Sequence, residues 1–318
     1  MFINIFFLLV MVAVSVLFGW LARRSWKTGN VVSKWAGTIL SGLLSVLVGL
    51  LSILTVIGLV KAYAPRTAPI PDLNVAATPE QIQRGEHIAN TFCTSCHSLN
   101  KALPLTGGVD LGLDIPIPLG NFVSPNLTPA GPLQDWSDGE IFRAMRNGVG
   151  RDGNWLFVMS NVRGRNLSDE DLQAVIAYLR NQPPAANETL DPPDRLSLLG
   201  LIMLGAGMLP AGQPPVTDVI AAPLKGPTIE YGEYILSYQD CRDCHGENLL
   251  GGTDQLAPIG PNLKLVKGWT QEQFIVTLRT GIDPLGHEID PARMPWKSIG
   301  RMDDEELTAI YLYLSGLP

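Results

Sequence analysis

Two short segments carry the residues with the most chemistry in this sequence. Cys93-Thr94-Ser95-Cys96-His97 and Cys241-Arg242-Asp243-Cys244-His245 share the pattern Cys-x-x-Cys-His and hold all four cysteines of the chain. That spacing suits covalent attachment of a c-type haem. The thiols add to the vinyl groups and become thioethers, and the adjacent His is carried under the iron as its proximal ligand. Cys-x-x-Cys also serves redox and zinc sites. A zinc site wants four ligands, however, and each Cys-Cys-His set is one short unless the two meet in space. Recurrence of the pattern in one register of an internal repeat favours two covalently bound haem c groups, each with its iron. With every cysteine used in this way, a disulfide framework is a poor reading.

A sixth iron ligand must come from further along the chain. Of the eight methionines, two fall at equivalent places: Met159 lies thirteen residues before Leu172, and Met294 thirteen before Leu307. The expected iron ligands are therefore His97 with Met159, and His245 with Met294. Pro295 fixes the backbone after Met294, whereas Ser160 follows Met159, so packing against a ring is the alternative for Met159. Met145, which corresponds to Leu278, reads as core. His87 reads as a satisfied helix residue. His287 could replace Met294 as ligand or contact a propionate.

These residues need elements to position them, and the sequence supplies each element twice. Gly85-Glu86 and Gly232-Glu233 occupy similar places before the two motifs. Gly107-Gly108 answers Gly251-Gly252, and Pro125-Asn126-Leu127 answers Pro261-Asn262-Leu263. Trp136 to Gly148 spans twelve positions, as does Trp269 to Gly281. Thr78, Ser137 and Thr270 open capping boxes. Apolar residues recur at helical spacing at Leu172, Val175, Ile176 and Leu179, and again at Leu307, Ile310, Tyr311 and Leu314. The pattern predicts an all-α body of short helices joined by Gly/Pro-rich loops. The expected segments are 78–183 and 228–318, with a Pro-rich linker over 184–227. The uncharged run Leu196 to Leu209 in that linker reads either as a strap buried against the two repeats or as a docking patch for a partner subunit or the lipid surface.

The N-terminal 61 residues differ from the rest. Phe2 to Ala22 and Trp35 to Val60 contain no charge, and each is long enough to cross a bilayer core of about 30 Å as a helix. A cleaved signal peptide would place its bases before the first apolar run, and here they follow it. Residues 1–61 form the expected two-helix transmembrane anchor. The loop between the runs carries Arg23, Arg24, Lys27 and Lys34 and no acid, so the positive-inside rule keeps it cytoplasmic and the body outside. Ser41, Ser45 and Gly49 fall four apart, a stripe where another helix could approach.

The chain has a formal net charge of −7. Residues 1–61 hold five bases and no acid, leaving 18 bases against 30 acids in the remainder, a net of −12. Such a body is no general nucleic-acid binder. It would suit a basic soluble electron carrier, through an attraction that weakens with salt.

Both halves resemble class I cytochrome c domains: Cys-x-x-Cys-His, an Asn-Leu loop, a distal Met, then an amphipathic C-terminal helix. Residues 136–149 and Arg293-Met294-Pro295-Trp296 resemble the multihaem cytochrome subunits of membrane-bound alcohol and gluconate dehydrogenases, although those usually carry three haem motifs. The N-terminal anchor before two such domains instead resembles the dihaem subunit of cbb-type haem–copper oxidases. The resemblance implies a non-catalytic electron relay in the bacterial cytoplasmic membrane, with its haem domains on the extracytoplasmic side. Lipid and other subunits of a respiratory or photosynthetic redox complex are the expected partners. A catalytic dihaem cytochrome (a peroxidase or a thiosulfate-oxidising enzyme) or a ligand sensor would need an open haem site, and the first motif is where to look for it.

Overall fold

The structure, a computed structural model, describes residues 2–186, 194–253 and 259–318. Among these residues the regular structure is almost all helix, joined by long loops, with one two-residue antiparallel ladder that pairs β1 (Gly120–Asn121) with β2 (Arg195–Leu196). The longer helices are α1 (Phe2–Ser25), α2 (Val31–Tyr63), α3 (Pro79–Ile88), α5 (Asp138–Asn147), α6 (Asp169–Asn181), α7 (Leu198–Gly205), α8 (Ile229–Tyr238), α10 (Gln271–Thr280) and α12 (Asp304–Ser315). Three helices of one turn are α4 (Thr94–His97), α9 (Cys241–His245) and α11 (Trp296–Ile299). The chain divides into two compact units. One comprises Met1–Pro65, Ile117–Asn121 and Asp194–Gly212, and the other the remaining residues.

In the first unit α1 and α2 form a hairpin, and both are long and apolar enough to cross a membrane. Their outward faces are exposed Leu, Val, Ile and Phe. Lipid offers no hydrophobic drive between helices, so close packing and polar contacts must hold them. The Ser15 hydroxyl donates to the Ser45 carbonyl at 2.9 Å, and the Ser45 hydroxyl donates to the Ser15 carbonyl at 2.8 Å. Gly19 and Gly49 flank this pair, and a Cβ on either would lie 3.2 Å from the facing serine hydroxyl. Ser45 and Gly49 are thus on the helix-packing face. At the turn, Trp26 and Trp35 meet edge to face at 5.2 Å, and Lys34 lies 4.2 Å from the Trp26 ring centroid. Aromatic and basic residues together are the composition of a membrane–water interface.

The apolar run after the first repeat packs on α2. A Cβ on Gly58 would lie 2.0 Å from the Leu201 carbonyl oxygen, and one on Gly205 would lie 1.9 Å from that of Leu54. Two bare glycine faces therefore let α2 and α7 meet backbone to backbone. Leu201 and Leu204 are buried there. Asn4 donates to the Leu196 carbonyl at 2.9 Å, and Lys61 to that of Leu204 at 3.1 Å. The run therefore packs on the hairpin rather than on the two repeats.

In the second unit α3 crosses α6, and α8 crosses α12 in the same manner. A Cβ on Gly85 would sit 1.8 Å from the Ala174 carbonyl oxygen, and one on Gly232 would sit 2.1 Å from that of Ala309. The repeated Gly-Glu is therefore the place where two helix backbones touch. Capping boxes start α3 at Thr78, α5 at Ser137, α10 at Thr270 and α12 at Asp303. Helices α5 and α10 end on left-handed glycines, Gly148 at φ 61° and Gly281 at φ 72°. Ile88, Leu172, Ile176, Ile235, Leu307 and Ile310 belong to one continuous apolar core.

A polar network ties the four crossing helices together. Arg84 grips Asp171 with two bonds of 2.8 and 2.9 Å and reaches Glu306 at 3.2 Å. Tyr234 donates to Asp171 at 2.6 Å, and His87 Nε2 lies 2.6 Å from Glu306. His87 is a satisfied helix residue, as its place in the sequence suggests. His87, Asp303 and Glu306 converge as a metal site would. Arg84 and Lys225 already supply cations to the two carboxylates.

Candidate functional site

The two Cys-x-x-Cys-His segments are held alike. Helix α3 runs into a wider π-type turn, Ala89–Cys93, and then into α4. The second motif forms α9 directly. Each histidine is buried, and each places Nδ1 against a proline carbonyl: His97 to Pro125 at 3.3 Å and His245 to Pro261 at 2.8 Å. A carbonyl only accepts, so Nδ1 carries the proton and the Nε2 lone pair is available to a metal. Burial, opposed by the bond to Pro125, pushes the His97 imidazole down to about 4. The His245 imidazole is lowered by burial too, against its bond to Pro261. Both rings are neutral near pH 7, the form a metal ligand requires.

The repeated Pro-Asn-Leu thus has a part in the site: its proline carbonyl orients the ring. The Gly pairs have one as well. The Gly107 and Gly251 amides each donate to the carbonyl of the motif histidine at 2.9 Å. Both sit at positive φ, 73° and 112°, and a Cβ on Gly107 would lie 2.4 Å from the Pro125 backbone.

None of the cysteines forms a disulfide among the described residues. Burial first, then the neighbouring Cys96 and Asp240, push the Cys93 thiol up to about 12. Burial and Asp240 do the same for Cys241. With nothing bound to them, such groups are thiols at neutral pH.

Cys241, Cys244, His245 and Met294 line one cavity of about 540 Å³. Leu263, Val266, Phe274, Leu278 and Ile299 supply much of its wall. A soft thioether, an imidazole and a thiol pair around an apolar space fit a covalently attached haem. His287 is exposed and pairs with Asp283 at 2.9 Å, and it is not part of that lining. Met159 is half-buried in the turn 156–160, beside Trp155, whose indole donates to Ser160 at 2.7 Å. Its pairing with His97 is the expectation from the repeat offset.

Several residues of the site were not singled out by the sequence reading. Arg163, four residues after Met159, donates to Asp243 inside the second motif at 2.6 Å and pairs with Glu247. Arg301, seven residues after Met294, donates to the Asn90 carbonyl at 3.0 Å and to Thr94 inside the first motif at 3.3 Å. Each attachment segment is thus braced by an arginine from the opposite repeat. Phe92 and Ser95 of the first attachment segment also line the cavity of the second, and so does Asp240.

Comparison with known proteins adds three relatives and a family. The family described as "Cytochrome C oxidase, cbb3-type, subunit III" matches residues 80–179 and 228–314. The chain is 27% identical over 271 residues to the gluconate 2-dehydrogenase cytochrome c subunit of Pantoea cypripedii, covering 74% of this chain and 59% of that protein. It is 25% identical over 268 residues to the cytochrome c subunit of the quinone alcohol dehydrogenase of Gluconobacter oxydans, with 74% and 55% covered. Against the fructose dehydrogenase cytochrome subunit of Gluconobacter japonicus it is 24% identical over 280 residues, with 80% and 56% covered. The chain therefore spans between 55% and 59% of the length of these relatives.

Proposed function

Because the chain belongs to the cytochrome family described as cytochrome c oxidase, cbb3-type, subunit III, for which covalently bound haem c is the implied cofactor, we propose that it is a membrane-anchored dihaem electron relay. Cys93 and Cys96, and Cys241 and Cys244, would hold the haems through sulfur. His97 with Met159, and His245 with Met294, would ligate the irons. When bound, each haem supplies a one-electron couple. The chain's own residues do the rest. The Pro125 and Pro261 carbonyls fix the ring tautomer and raise its basicity. The apolar wall excludes water, and a thioether ligand raises the potential. With a histidine and a methionine held for each haem, substrate would have no place to bind and charge alone would pass.

The observation that carries this reading is the meeting of Cys241, Cys244, His245 and Met294 on one apolar cavity. The family match to two separate segments, each with one motif, supports the tandem layout. The basic loop 23–34 would lie in the cytoplasm, which leaves the acidic body outside. An oxidising compartment suits thioether maturation. The relatives' names point to a partner of one kind, the catalytic subunit of a membrane-bound dehydrogenase. The acidic surface suits a basic soluble carrier as electron acceptor or donor. The family's description favours a second reading, a subunit of a cbb-type oxidase. Gentle detergent purification separates the readings. A co-migrating dehydrogenase subunit supports the first, and a co-migrating haem–copper subunit the second. A chain that migrates alone, with a high-spin haem that binds carbon monoxide, contradicts both and favours a catalytic or sensing protein.

A further inference from the structure

The two motifs meet at Asp240. This residue directly precedes Cys241 and lines the second cavity beside Phe92 and Ser95 of the first attachment segment. The Phe92 ring stands edge-on to Tyr238, with 6.2 Å between centroids. Asp240 Oδ1 accepts one long bond, from the Arg163 amide at 3.4 Å. The Arg163 guanidinium is turned to Asp243 and Glu247 instead. Among the described residues Asp240 forms no ion pair of its own.

A carboxyl in the wall of an apolar cavity is poorly solvated, and its charged form is disfavoured. Desolvation, with repulsion from Asp243 added, pushes Asp240 up to about 6 against the pull of Arg163. Its influence spans both motifs. Burial raises the thiols of Cys93, Cys96, Cys241 and Cys244, and the Asp240 charge raises each of them further.

We propose that Asp240 is a redox-linked proton site shared by both haem centres, protonated as an electron enters and deprotonated as it leaves. This rests on the dihaem reading above. On reduction, a donor (an electrode in the test below) gives one electron to a ferric iron, which becomes ferrous. One proton from water forms an O–H bond on the Asp240 carboxylate. On oxidation the electron passes to the acceptor, that O–H bond breaks and the proton returns to water. The ferric state carries one more positive charge and favours the carboxylate; reduction removes that support. The groups that face Asp240 are Arg163, which follows Met159 by four residues, Asp243 on α9, and the motif sulfurs; Glu247 pairs with Arg163. The sulfurs are uncharged thioethers once attached.

The test uses the full-length protein in detergent. Potentials are titrated spectroelectrochemically from about pH 5 to 8, across the range where a carboxyl near 6 ionises. In the unaltered protein both potentials fall as pH rises; because one carboxyl binds one proton for two electrons, the two slopes together approach at most about 59 mV per tenfold change in proton activity. Asp240→Asn flattens the slope, and Asp240→Glu retains it. A reduced-minus-oxidised infrared difference spectrum of the unaltered protein gains a protonated-carboxyl stretch, which decides the matter even if Asp240→Asn fails to mature. A slope unchanged in Asp240→Asn, or no carboxyl signal on reduction, overturns the proposal. The haem content of the same sample separates the two inferences. Fewer than two haems contradicts the dihaem reading and this proposal together; two haems with pH-independent potentials contradicts this proposal alone.

Discussion

A histidine becomes a metal ligand only when one ring nitrogen is fixed and the other is left with its lone pair. Here a proline carbonyl does the fixing twice, at Pro125 and Pro261. Met294 lines the second cavity and Met159 stands at the matching offset in the first repeat, so these two would complete the haem ligation. Each should be separable by substitution. Met294→Ala is expected to remove the Met–iron charge-transfer band of one haem, lower that haem's potential and create one cyanide-binding site per chain; Met159→Ala should do the same to the other. Optical spectra of the ferric variants read this directly. If neither spectrum changes, the assignment of the distal ligands is wrong. Much of this site was legible in the sequence because attachment is local: cysteines and histidine lie within five residues, and the helpers recur in fixed order. Asp240, Arg163 and Arg301 were not. Their partners lie about 80 and about 200 residues away, and no local pattern encodes a contact between repeats.

At the scale of elements, glycine decides which helices touch. Gly85 and Gly232 place α3 on α6 and α8 on α12 at distances no side chain would permit. Gly85→Ala and Gly232→Ala are each expected to cost roughly 1–3 kcal/mol by overpacking. Gly316→Ala is the control: its added carbon would lie 3.5 Å from the nearest atoms, and a change within about 0.5 kcal/mol is expected. Thermal melts of the haem-loaded protein check the contrast, and equal effects at all three positions would refute the close-approach account. The same chemistry explains α7. By propensity, Gly200 and Gly205 argue against a helix there. Tertiary contact overrides propensity, because Gly205 and Gly58 are what allow α7 to lie on α2. The sequence pattern left this run as either a strap against the two repeats or a docking patch, and its actual partner, α2, lies too far away in the chain for a local pattern to show it.

At the scale of the molecule, a buried ionic network closes the second unit. Glu306, 1% exposed, accepts from Arg84 and pairs with His87, while Arg84 also holds Asp171. Desolvation pulls the Glu306 carboxyl up, but the bond to His87 and the surrounding positive charge win and hold it below the usual glutamate range. A carboxyl lowered on folding stabilises above its unfolded pKa, and that contribution is lost as pH falls through the folded value. Acid destabilisation beginning below about pH 4.5 is therefore expected. Removing one member of a buried pair leaves the others uncompensated, so Glu306→Ala should cost about 3 kcal/mol near neutral pH and also flatten the acid limb. Melting temperature against pH for the two proteins gives the answer; parallel curves would mean that Glu306 does not carry the acid response.

Every part of the account depends on porphyrin bound through sulfur at both motifs. The most direct measurement is haem per chain in the purified full-length protein after acid–acetone extraction, which removes non-covalent haem and leaves thioether-linked haem in place. The account predicts two haems retained per polypeptide. Pigment lost to the solvent, or fewer than two haems retained, would contradict it.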